Sequence, residues 1–70
     1  MNKYTEEQLT NFMRVLIALK VPKEQILGIC SFLKTEDMMF EMLDRLEERD
    51  FKLTPQEAIN ICCAVIKENL

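Results

Sequence analysis

Four helix-start signals fall within 70 residues, and they leave this chain little room for anything but helices. Thr5-Glu6-Glu7-Gln8 is a capping box, in which the Thr hydroxyl can accept from the Gln8 amide while the Gln8 side chain reaches back to the Thr amide. Tyr4 and Leu9 occupy the two hydrophobic-staple positions around it. Val21-Pro22 gives the second start, because the residue before a proline avoids the α conformation whereas proline suits a first helical turn. Thr35, followed by Glu36 and Asp37, gives the third, with acids on the positive end of the helix dipole. Thr54-Pro55-Gln56-Glu57 is a further capping box with proline at its first helical position. These signals predict helices over about 5–20, 22–34, 35–50 and 54–69, with 51–53 as a connector. No stretch shows the alternation of a strand.

The apolar spacing agrees. Leu9, Phe12, Met13 and Leu16 repeat at i, i+3, i+4, i+7, as do Ile26, Ile29, Cys30 and Leu33, then Met39, Met42, Leu43 and Leu46, then Ile59, Cys62, Cys63 and Ile66. The stripes also match one another. The first and third helices align at an offset of 30, pairing Thr5 with Thr35, Phe12 with Met42 and Leu16 with Leu46; the second and fourth align at 33, pairing Pro22 with Pro55 and Ile26 with Ile59. The fold class is therefore all-α: a compact four-helix domain over residues 1–70, made of two αα-hairpins, the second with three extra linker residues. The period resembles that of helical-hairpin repeats but does not meet the tetratricopeptide consensus, and any two capped amphipathic helices can align this way.

A domain this small buries little and normally needs a staple or a partner. Composition removes most staples. With no histidine, the commonest metal ligand and general base are missing, so neither a zinc centre nor ordinary hydrolase chemistry is expected. Cys30, Cys62 and Cys63 contain no CxxC, and neighbours on a helix point about 100° apart, which argues against a disulfide framework, a metal site or any cofactor. An odd cysteine count fits a reducing, cytoplasmic setting. The apolar run over 12–21 is broken by Arg14 and Lys20 and is too short to span a bilayer, so no membrane role is expected.

Two features point to binding. In the first helix Val15 and Leu19 widen the apolar arc on one side and Ile17 on the other, to about 200° where a little over 100° is usual. Ala58, Ile61 and Val65 widen the fourth helix similarly, and Leu27 and Phe32 the second. A bundle that encloses its helices on two sides accounts for wide arcs. So does a second interface, and Val15, Leu19, Ile61 and Val65 are the positions expected to mediate self-association.

The second feature is charge. The segment from Glu36 to Asp50 holds seven acids and two arginines, a net −5 in a chain of net −3. Asp37, Glu41, Asp44 and Glu48 lie within about 60° of one another, opposite the apolar stripe. Such a ridge keeps an apolar protein soluble, and it is also a docking surface for a basic partner. A solvated helix face offers no pocket to part carboxylate pKa values, so acid–base catalysis is not expected. The segment from Leu27 to Ser31 faintly resembles a helix-turn-helix turn, but the helix after it is the most acidic in the chain, which argues against nucleic-acid binding.

The sequence therefore predicts a non-enzymatic protein-interaction module, a homo-oligomer through its first and fourth helices. The alternative is a small acidic inhibitor or nucleic-acid mimic, such as an anti-defence protein of a mobile element, docking through the third helix.

Overall fold

The computed structural model describes residues 5–70, which form helices α1 (Glu6–Ala18), α2 (Lys23–Ser31), α3 (Glu36–Glu48) and α4 (Pro55–Glu68). Among the described residues there is no strand. Both capping boxes form. The Gln8 amide donates to Thr5 Oγ1 at 3.1 Å and the Thr5 amide to Gln8 Oε1 at 2.7 Å; the Glu57 amide donates to Thr54 Oγ1 at 3.1 Å and the Thr54 amide to Glu57 Oε1 at 2.8 Å. Thr35 caps α3 through a single, longer bond from the Met38 amide, 3.3 Å, because a methionine at this position has no oxygen to return. The expected staple residue Tyr4 lies outside the described residues.

The helices stop earlier than the apolar spacing predicts. Pro22 is the N-cap of α2 (φ −60°, ψ 147°), so α2 begins one residue later than its alignment with Pro55 suggests. It ends at Ser31, three residues short of Lys34, where the Phe32 and Leu33 amides turn to the Ile29 and Cys30 carbonyls and Ser31 Oγ donates to the Gly28 carbonyl. Leu33 is buried from outside the helix, which is why periodicity alone overran.

At their C-termini α1 and α3 share one device. The Val21 amide returns to Leu16 O and the Lys20 amide to Ile17 O; thirty residues on, Phe51 returns to Leu46 O and Asp50 to Glu47 O. This is a Schellman motif, which places the residue after the cap in the left-handed region, here Lys20 (φ 67°) and Asp50 (φ 54°). The 30-residue offset is thus repeated in backbone hydrogen bonds as well as in side chains.

The core joins Phe12 and Leu16 of α1, Ile26 and Ile29 of α2, Met38, Met39, Met42 and Leu46 of α3, and Ala58, Cys62 and Val65 of α4, together with Leu19, Val21 and Leu33 from the connections. Nothing polar is buried with them among the described residues. The most extensive packing is α3 on α4; α1 rests on α2, and α2 touches α4. The ends of α1 and α3 are tied where both begin, by Gln8 Nε2 donating to Glu36 Oε2 at 3.0 Å.

Candidate functional site

The acidic ridge is exposed at all four expected positions, Asp37, Glu41, Asp44 and Glu48. It is not uniform. Arg45, one position to the side of Asp44, sends Nε to Glu41 Oε2 at 2.8 Å and clamps Glu68 of α4 with both terminal nitrogens, at 2.6 and 3.0 Å. Hydrogen bonds from Arg45 hold the Glu68 carboxyl below its ordinary value, and the guanidinium is correspondingly more firmly charged. Asp37, Met38, Glu41, Arg45, Glu68 and Asn69 line one groove between α3 and α4. The structure therefore brings Asp37 and Glu41 together with Glu68 and leaves Asp44 and Glu48 outside that groove. Among the described residues no ion pair reaches Asp37, Asp44 or Glu48.

The positions expected for self-association divide. Val65 is 0% exposed and Leu19 8%, so both are corrected to core residues. Val65 faces inward beside Cys62 and Ala58, and Leu19 folds back at the α1 cap, where the Schellman turn carries the chain over the core. Val15 and Ile61 are half-buried against the same core. Val15 also borders a shallow apolar groove with Ala18, Leu19 and Phe51. The wide arcs of α1 and α4 thus mainly reflect enclosure by neighbouring helices.

Exposed apolar surface lies elsewhere. Leu27 is 51% and Phe32 49% exposed, both on α2 or its cap; Ile17, Phe40 and Phe51 are also exposed. Gln25, Gly28, Ile29 and Phe32 of α2 and its cap face Cys63 and Ile66 of α4 across a second apolar groove of about 170 Å³. Among the described residues Gly28 is not a point of close helix approach, since a Cβ built there meets nothing within 4 Å. The breadth of α2's apolar arc was visible in the sequence; which of its residues stayed uncovered was not.

The thiols are free, with Cys62 buried, Cys30 half-buried and Cys63 exposed. Burial pushes Cys62 up to about 12, with the neighbouring Cys63 and Cys30 adding to it, and burial raises Cys30 as well. Cys62 is therefore a neutral core residue near pH 7. No group of three or more Cys, Asp or Glu side chains among the described residues is arranged to hold a metal ion. No helix among them is long and apolar enough to cross a membrane.

With these surfaces defined, the chain was compared with known proteins: no protein family, no curated protein and no solved structure matches it.

Proposed function

We propose that this chain is a non-enzymatic helical protein-interaction module that self-associates. The observation that supports it is the exposure of Phe32 in the wall of the apolar α2/α4 groove, in a molecule whose described polar side chains all lie at or near the surface. Apolar groups that flank a groove leave water when a partner covers them, which favours association in proportion to the area removed. Sedimentation equilibrium over the micromolar range tests this reading. A monomer–dimer equilibrium is expected, and a monomer at every concentration up to several hundred micromolar would refute it.

A second reading, docking on a basic groove of another protein, draws on the ridge Asp37, Glu41, Asp44 and Glu48, of which only Glu41 is paired among the described residues. One-signed surface charge steers encounters with an oppositely charged partner. Replacing these four acids by lysine separates the two readings. A charge-docked partner is then lost at physiological salt while self-association persists.

A further inference from the structure

We infer that Phe51 is a two-position latch in the α3–α4 connection, held out in water in this structure and able to turn inward as Val21 does after α1. Two turns built on the same hydrogen bond differ at this point. Each closes with an amide that returns to a carbonyl in the last turn of its helix, Val21 to Leu16 and Phe51 to Leu46, both at 3.1 Å. Beyond that bond they part. Val21 does not have a positive φ and is 5% exposed, whereas Phe51 has a φ of 56° and is 42% exposed. A left-handed backbone is uncommon for any residue with a Cβ and an outlier for a bulky one. It is disfavoured by about tenfold for an L-residue, so it persists only where neighbouring groups hold it.

The Lys52 amide does so, by donating to the Arg49 carbonyl at 3.0 Å and wrapping the chain one residue further. The first connection has no counterpart to this bond. The residue after Val21 is Pro22, which lacks an N–H and steers the residue before it to an extended backbone. Lys52 is exposed, so its amide can exchange the Arg49 carbonyl for water at little net cost. Phe51 is then free to extend, and its own bond to Leu46 survives, because turning about its N–Cα bond leaves its amide in place.

Successive side chains of an extended segment point to opposite sides. The connection reads Phe51-Lys52-Leu53, and Leu53 is already half-buried against the core. Extending it turns Phe51 to the side of Leu53 and leaves Lys52 in water. The turn relieves a left-handed backbone and removes an aromatic ring from water; it gives up a solvent-exposed hydrogen bond and the wall that Phe51 supplies to the shallow groove of Val15, Ala18 and Leu19. With gains and losses of similar size both positions are populated, the inward one on the order of 1–10%. The latch thus presents or withdraws one aromatic side chain and one apolar groove together.

Fluorine NMR of the full chain, with its four phenylalanines replaced by 4-fluorophenylalanine, tests this. Phe51→Leu identifies the Phe51 line by its loss. That line should show exchange broadening on the microsecond-to-millisecond scale, and the line of fully buried Phe12 should not. Two synthetic chains that keep every side chain fix the extremes. D-phenylalanine at position 51, for which a positive φ is the relaxed backbone, should give a sharp line at the outward extreme. An ester in place of the Lys52 amide, which removes only the N–H, should shift the line the other way and reduce its broadening by a soluble gadolinium chelate several-fold; Lys52→Pro should do the same. A line without exchange that coincides with that of the D-phenylalanine chain, or an ester chain and a Lys52→Pro chain whose Phe51 stays as accessible as before, overturns the latch.

Discussion

The two hairpins share a framework and differ in how much of it is locally specified. α1 and α3 begin with a threonine cap and end in the same Schellman hydrogen bonds, with Leu16 and Leu46 in equivalent, fully buried places. Their partner helices diverge. α4 has 14 residues, a complete capping box and a proline at its first position, whereas α2 has nine residues and no side-chain cap at its N-terminus. The connections diverge too. After α1 the chain spends one residue in the left-handed region and buries Val21 (5% exposed); after α3 it spends two, Asp50 and Phe51, and leaves Phe51 42% exposed. Between the observed helix ends the second connection is two residues longer, 49–54 against 19–22, and the buried faces of α2 and α4 match at an offset of 32, Ile26 with Ala58 and Leu33 with Val65, in place of the 33 that the sequence alignment suggests. A helix with few local signals is held by tertiary burial, so α2 depends on Ile26 and Ile29 being covered by the rest of the molecule.

The comparison can be broken most decisively at the core. Leu16→Ala and Leu46→Ala should each destabilise the fold by about 3 kcal/mol in urea titrations, enough to unfold much of a domain this size. If one costs far more than the other, the two hairpins are not equal partners in one core. Caps come next. Thr54→Ala should cost about 1 kcal/mol and exceed Thr35→Ala, whose single bond is longer; equal losses would show that the reciprocal bond from Glu57 adds nothing. Glycine at the left-handed positions should act in the opposite direction. Lys20→Gly should stabilise by up to about 1 kcal/mol and Asp50→Gly by less, since aspartate tolerates that region better than lysine.

The smallest expected effect is a pH dependence confined to one hairpin. The bond from the Thr54 amide, and after it that with the Thr54 hydroxyl, hold the Glu57 carboxyl below its ordinary value of 4.5. A group whose folded pKa is depressed contributes stability that is present above the unfolded value and lost as pH falls through the folded one. The α4 cap should therefore weaken on acidification below about pH 4.5, while the α1 cap, built with the uncharged Gln8, should not. Glu57→Gln should flatten that part of the acid profile of the thermal midpoint. An unchanged profile would mean that other carboxylates, such as Glu68 on Arg45, carry it.

Helix number and order and every threonine cap were legible in the sequence, because each depends on residues three or four positions apart. What depended on distant residues was not. Leu19 and Val65 looked like surplus apolar surface on a helical wheel, yet a wheel does not record which neighbour arrives. The Arg45–Glu68 clamp joins residues 23 apart and modifies an acidic ridge that spacing alone presents as continuous. Exposure of the ridge was readable from its position opposite the methionine stripe. That no described residue packs over Gly28 was likewise not readable from spacing.

The first turn of α3 has a practical consequence. Gln8, near the start of α1, bonds Glu36, and Asn69, just past α4, shares a groove with Asp37, so both ends of the described chain meet at one pole. The α1–α2 and α3–α4 connections lie at the opposite one. A short linker from residue 70 back to residue 5 should thus permit circular permutation, with new ends opened at the exposed Lys52. Residues 5 and 70 thus leave the described fold on the side away from Phe51 and the connecting turns.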